Sequence, residues 1–347
     1  MFAFQQYRHA LPILALAAGL SACTGHQSAP GGFVPTVPGG FAPATPDAAQ
    51  GGAAEPNAGP AEPDAGIRIF TANRDGGSVL AFAVKSSGNV SPQATIAGSK
   101  TQLSEPDALA VDKKGNVYTA NDGASQVEIF ATGADGNVKP KRTIAGSKTG
   151  LGPTEGMSID SSGNLWVSNY SGEAITEYAP GAKGNATPIA TIAGSSTGLA
   201  TPVGMATDAQ GRLYVANIGS ASILAFAKGA NGNVAPTLSI SGSNTQLSRP
   251  FALAFDGKGR LLVADESSGI LVFAKGATGN SIPVAQIAGL DDPAGVTADA
   301  KDHIWAAEFS GNAIKEFASS ANGNAQPIRT IEGPKTTLNG ANYLALH

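Results

Sequence analysis

From residue 67 onward the apolar positions fall in short runs that recur in the same order, most clearly in residues 201–248: TPVGMATDAQ GRLYVANIGS ASILAFAKGA NGNVAPTLSI SGSNTQLS. The "LYVAN" run is apolar on both alternating faces, with Leu213 and Val215 on one side and Tyr214 and Ala216 on the other. A short run that is apolar on both faces predicts a strand sandwiched between two layers. Its bulky residue recurs as Phe70, Tyr118, Trp166, Tyr214, Leu262 and Trp305, so one large side chain is expected to fill the space between neighbouring sheets in every copy. The next run, "ILAFA", keeps an aromatic at Phe82, Phe130, Tyr178, Phe226, Phe273 and Phe317 and alternates large with smaller or polar residues, which predicts a half-buried strand. Glycine-rich segments such as GADGN at Gly133 and GANGN at Gly229 follow it; they tolerate positive φ and predict a tight hairpin. A proline lies three residues beyond each turn's Asn (Pro92, Pro140, Pro188, Pro236, Pro283, Pro327), which assigns the following "TIAGS"-type strand to a sheet edge. A loop then leads to a "DALAVD"-type run, the first strand of the next unit.

The polar residues that close the second strand are Asn73, Asn121, Asn169, Asn217, Asp265 and Glu308, with steps of 48, 48, 48, 48 and 43. Six units of four strands predict an all-β, six-bladed β-propeller. The competing architecture is an open solenoid, and the chain ends decide against it. The first copy begins with a second strand, IRIFTAN, and the last finishes with a first strand, NYLALH, in which His347 aligns with Asp112, Asp160, Asp208, Asp256 and Asp299. Residues 343–347 are therefore expected to complete the first blade and close the ring, removing its open edges, whereas a solenoid would need polar caps. The pattern P-x-G-x-x-x-D-x-x-G-x-L-Y-V-A-N, here PVGMATDAQGRLYVAN from Pro202 to Asn217, resembles the NHL repeat. It is also similar to the wider group of six-bladed propellers that includes the gluconolactonases. That resemblance covers residues 67–347 and is specific for fold; propellers host many activities.

In such a ring the loops that lead into the first strands and those that join second to third strands share one face, the mouth. Five residues before each aligned Asp stand Asn342, Asp107, Glu155, Val203, Phe251 and Ala294 in blade order, so three adjacent blades offer polar groups and three offer apolar ones. In gluconolactonase-like propellers metal ligands come partly from P-N-G and P-D-G motifs at this position. The resemblance carries that role to Asp107, which follows Pro106 but precedes Ala108, and to Asn342, which lacks the preceding proline. An oxygen-ligand set of Asp107, Glu155 and Asn342 would suit Ca²⁺ or Mg²⁺ rather than zinc; the alternative is solvated residues lining a wet channel. The residues just beyond the "VAN" position, Arg74, Asp122, Tyr170, Ile218, Glu266 and Phe309, extend the mouth. Tyr170 and Ile218 lie beside Val203 and Phe251, an apolar patch of the kind a ligand or partner uses. Nucleophilic and acid–base catalysis have little to draw on, because residues 67–347 hold no cysteine and only two histidines, His303 in a strand-connecting turn and His347. The antibiotic-cleaving and amidating lyases built on propellers use histidine, and nothing here matches their sites.

Residues 1–22 read as a lipoprotein signal peptide: one charge at Arg8, an apolar core at residues 11–20, and Leu20-Ser21-Ala22-Cys23, which resembles a lipobox. The apolar stretch is too short to span a bilayer comfortably. Cys23 is the only cysteine, so it cannot form an internal disulfide, and lipidation accounts for its placement. Thr24 resembles the residue that directs lipoproteins of diderm bacteria to the outer membrane. The segment to residue 66 is rich in Gly, Pro and Ala and reads as a flexible tether, about 35 Å end to end. The repeat domain holds 21 basic and 22 acidic residues, and this near-neutrality argues against a basic footprint for nucleic acid or anionic lipid head groups. The expectation is a lipid-anchored cell-envelope propeller without enzymatic activity, held to the membrane through Cys23 and using the mouth for a protein, glycan or small-molecule partner. The second reading is a divalent-metal-dependent hydrolase of the lactonase kind, acting on lactones or esters.

Overall fold

A computed structural model describes residues 66–121 and 124–347. The signal segment, Cys23, the tether and Asp122 lie outside the described residues. The described strands form six four-stranded antiparallel sheets, the six blades. In blade 1 the innermost strand is the C-terminal one, Ala341–Leu346, which pairs with Arg68–Asn73. Arg68 and His347 exchange backbone hydrogen bonds of 2.8 and 3.0 Å, so the ring closes as the chain ends predict. The innermost strands of blades 2 to 6 are Pro106–Val111, Thr154–Ile159, Pro202–Thr207, Pro250–Phe255 and Pro293–Ala298.

Packing follows the two-sided apolar pattern of the second strands. Phe70, Tyr118, Trp166, Tyr214, Leu262 and Trp305 are all buried. Trp305 of blade 6, for example, packs with Ile69, Leu80 and Phe82 of blade 1. The third strands differ from expectation: Ser78–Ala83, Ser222–Phe226 and Gly269–Phe273 are buried almost throughout rather than on one face. Each blade covers its neighbour's flank well beyond the second strand, so small residues such as Ala81 and Ala225 are needed for close approach, not for solvent contact.

The connections between third and fourth strands also differ from the tight hairpin expected. Each swings out to lie along the outermost strand of the preceding blade: Gly136 donates to the Thr95 carbonyl at 2.7 Å, and the neighbouring Asn137 side chain accepts the Lys100 N–H at 2.7 Å. Such parallel bridges recur all round the ring, including Gly88 to Ile331 between blades 1 and 6. The recurring prolines fall two residues before the outermost strands begin, as with Pro140 before Arg142–Ala145, where no ladder N–H is required. The outer edges are thus covered by chain from the next blade, one way of protecting exposed strand edges from pairing with other molecules.

Candidate functional site

The positions singled out at the mouth share one backbone device. In blades 2, 3, 5 and 6 the pairing skips one residue near the start of the innermost strand, and the residue skipped is Asp107, Glu155, Phe251 or Ala294. In blade 4 the skip takes in Val203 and Gly204; in blade 1 it falls on Tyr343, one residue after Asn342. A β-bulge takes a side chain out of the strand's alternation and re-aims it, which brings these six positions onto one ring. The ring is tight. A Cβ on Gly156 would lie 2.1 Å from the Val203 carbonyl oxygen, and one on Gly204 would lie 2.1 Å from that of Phe251.

The ring is also closed rather than wet. Asp107 is 1% exposed, Glu155 4% and Asn342 0%, and Val203, Phe251 and Ala294 are buried alongside them. Asn342 donates its amide N–H to Asp107 Oδ1, and its own Oδ1 accepts the Tyr343 N–H at 3.1 Å. Arg74, at the rim of blade 1, places Nε 3.5 Å from Asp107 Oδ2 while its other nitrogens reach Glu105 and Asp75, each at 3.3 Å. A buried carboxylate needs a partner charge and hydrogen bonds to offset its lost hydration, and for Asp107 both come from within the chain. On the apolar side the Phe251 and Tyr343 rings meet at 5.2 Å between centroids, spanning blade 6, whose small Ala294 and Gly295 leave them room. Asn342 and Asp107 are therefore brought together directly, and Glu155 occupies the next bulge round the ring.

Above this floor the rim residues are fixed by backbone bonds. The N–H of Arg74, Tyr170, Ile218, Glu266 and Phe309 each donates to the carbonyl of the residue just before the innermost strand of its own blade, at 2.9 to 3.2 Å. Short 3₁₀ turns, Tyr170–Gly172 and Ile218–Ser220, carry two of the rim residues, Tyr170 and Ile218. Tyr170 and Ile218 are half-buried, and Ile218 packs on the cluster that contains Val203 and Phe251. The "VAN" asparagines serve architecture: Asn121, Asn169 and Asn217 each accept a backbone N–H from the loop preceding their own blade, at 2.7 to 2.9 Å, and Asp265 does the same.

As ligands for a hard divalent cation, Asp107 and Asn342 do not fit. The Arg74 guanidinium stands on one Asp107 oxygen, an amide N–H stands on the other, and the Asn342 carbonyl oxygen faces its own backbone. Oxygen ligands for Ca²⁺ or Mg²⁺ must point lone pairs, not N–H groups, at the ion.

Sequence reasoning missed a cluster on the opposite face. His303 Nδ1 lies 2.8 Å from Glu316 Oε1 and 3.3 Å from Asp299 Oδ2, and Arg329 holds the other Glu316 oxygen. Among the described residues these three side chains form the one grouping with metal-ligand spacing. Other blades explain it: Asn116, Asn164, Arg212 and Arg260 occupy the His303 position and each donates to the Asp four residues earlier. His303 takes the same donor place, and Glu316 adds a second acceptor. Glu316 stands one residue before an aromatic on a third strand, as Glu177 does before Tyr178, and that shared placement was the available signal. Glu177 is pushed up by burial and by nearby Asp160.

No family model matches the chain, and neither does any curated protein. Solved structures do match it in fold. A chain of the nidogen/laminin complex is 16% identical, with a TM-score of 0.58 over 81% of this chain and 98% of its own. A Bacteroides fragilis protein to which 6-phosphogluconolactonase activity has been attributed is 13% identical, with a TM-score of 0.56 over 83% and 100%. A streptogramin B lyase is 15% identical, with a TM-score of 0.50 over 79% and 86%. Likeness at this level is likeness of fold: the chain is a six-bladed propeller whose structural neighbours include both a member of a binding complex and enzymes.

Proposed function

We propose that this chain is a lipid-anchored binding module of the bacterial envelope, held through Cys23 and engaging a protein or glycan partner on the mouth face. The observation that carries this reading is the closed floor. Asp107 is buried and held by Arg74 and Asn342, and Glu155 is buried beside it, so what the mouth offers to a visitor is the shelf of Tyr170 and of Ile218, the latter packed on the cluster of Val203 and Phe251, with charged Arg249 and Glu266 paired beside it at 2.6 Å. An aromatic anchor next to a polar rim is the composition of a recognition surface. The hydrolase reading would place a divalent ion at Asp107, Glu155 and Asn342, and the orientation of Asp107 and Asn342 speaks against it.

The test is site-specific photo-crosslinking in the native envelope. A photoreactive residue in place of Tyr170 or Ile218 is expected to give discrete adducts, and the same residue at Ile189 on the outer wall is expected to give none. Adducts from Ile189 alone would sink the reading. Membrane fractionation of Cys23→Ala checks the anchor: the variant should leave the membrane fraction, and a wild-type chain without lipid by mass spectrometry would remove the anchor from the account.

A further inference from the structure

The face opposite the mouth, where the hairpins between first and second strands and the connections between third and fourth strands emerge, is electrically unlike it. Its aspartates are turned inward. In Asp112, Asp160, Asp208, Asp256 and Asp299 the Oδ1 atom accepts two backbone N–H groups of its own hairpin, and none of the five residues is exposed. Its lysines are turned outward: Lys113, Lys114, Lys141, Lys228, Lys258 and Lys275 are all exposed. Among the described residues of these connections the one exposed acidic residue is Asp135, and its Oδ1 accepts the Thr95 N–H. Near-neutrality of the whole domain conceals this difference: on the mouth side exposed Asp75, Glu173, Asp291 and Glu332 stand among exposed Lys100, Lys148 and Lys335 and balance them.

Two further features belong to the same face. On the axis beneath the floor lies a cavity of about 290 Å³ lined by apolar residues including Met157, Met205, Leu253, Val296 and Leu344. Between hairpins of adjacent blades lie clefts of about 460 and 350 Å³, the first flanked by Lys113, Lys114 and Lys141, the second by Lys258 and Lys275 over the Tyr214 and Phe255 rings. The described chain also begins on this face: Arg68, two residues from its first described residue, pairs with His347, which takes the hairpin-side position of the aligned aspartates.

We infer that this lysine face docks on an anionic lipid surface, the head groups of the membrane that holds the tether. The inference rests on the lipid-anchored reading for its geometry: a tether leaving from the basic face lets that face lie down while the mouth points away. Charge complementarity supplies the attraction, at about fivefold in partitioning for each lysine near an anionic surface, over a distance of about 8–10 Å in physiological salt. An anchor of lipid plus a basic patch is a recurrent two-part attachment.

The experiment is amine-reactive footprinting of the full chain on vesicles of phosphatidylcholine alone and with about 30% phosphatidylglycerol, read by mass spectrometry. Lys113, Lys114, Lys258 and Lys275 are expected to lose about threefold or more of their reactivity on the anionic vesicles only. Lys100, Lys148 and Lys335, exposed on the mouth side, should be unchanged. Charge reversal (K113E, K114E, K258E and K275E together) should abolish the dependence on lipid charge. Equal protection of both faces, protection independent of lipid charge, or stronger protection of the same lysines by duplex DNA than by the anionic vesicles would each overturn the inference. The mass of the Cys23 peptide in the same digest reports lipidation separately, so loss of the anchor and failure of the face are read as different results.

Discussion

The two faces of the ring spend their charged residues in opposite ways. On the mouth side the buried acid of the floor, Asp107, is held by the chain's own cation Arg74, which also reaches Glu105 and Asp75, and exposed acids and lysines are mixed round the rim. On the hairpin side the aligned aspartates are taken up by backbone N–H groups and by neighbours such as Arg212 and Arg260, and the lysines stand at the surface, Lys258 among them paired with Asp302 at 3.4 Å. Substitutions on the first face should therefore act on stability, and substitutions of lysines on the second should act on association. A net charge near zero carries none of this information.

Five substitutions sharpen that contrast. Gly204→Ala should be the most damaging, since the added carbon would meet the Phe251 carbonyl at 2.1 Å, a backbone atom that cannot move without opening the ring. A loss above about 3 kcal/mol is expected in urea unfolding, and a loss under about 0.5 kcal/mol would mean the innermost strands are not so close. Arg74→Ala should cost about 3 kcal/mol by leaving Asp107 buried without its counter-charge. The double variant with Asp107→Ala should cost less than the sum of the two single changes if the pair is coupled.

Glu128→Gln should stabilise, with a pH dependence that can be worked out. Glu128 is fully buried beneath the mouth side of blade 2, hydrogen-bonded by Gln126 and Asn121, and burial pushes its carboxyl up to about 7. Because the folded state holds the proton more tightly than the unfolded state, stability attributable to this group is full below its ordinary value of 4.5 and falls as pH rises through about 7. The variant should match the wild type in acid and exceed it by about 3 kcal/mol above neutrality; parallel stability curves across that window would contradict the assignment. Smallest of all, Lys114→Glu on the hairpin side should change stability by no more than about 0.5 kcal/mol, checked by thermal melting. A larger loss would mean the lysine face is structural.

The fold could be read from the chain because repetition makes one weak pattern into six concordant ones, and because the run at Arg68–Asn73 lacks a first strand that Ala341–Leu346 supplies. The site was less accessible. The ring of Asp107, Glu155, Val203 and Phe251 could be found by alignment, but its burial comes from bulges and from inter-strand approach near Gly156 and Gly204, which no local pattern records. Arg74 was visible as a rim residue, yet its bond to Asp107 joins blade 1 to blade 2. The role of Asn137 was hidden for the same reason: its turn chemistry is local, but the strand it covers belongs to the preceding blade. His303 looked like an isolated turn residue because its partner Glu316 comes from another strand of the same blade.

The central claim, that the mouth is closed by the chain's own cation rather than built for a metal ion, is tested most directly by differential scanning calorimetry of the wild type and Asp107→Ala in millimolar Ca²⁺ or Mg²⁺. The account predicts no rise in melting temperature for either protein. A rise in the wild type equivalent to about 2.7 kcal/mol at a hundredfold excess over the dissociation constant, lost in Asp107→Ala, would contradict it and put the metal-dependent hydrolase reading first.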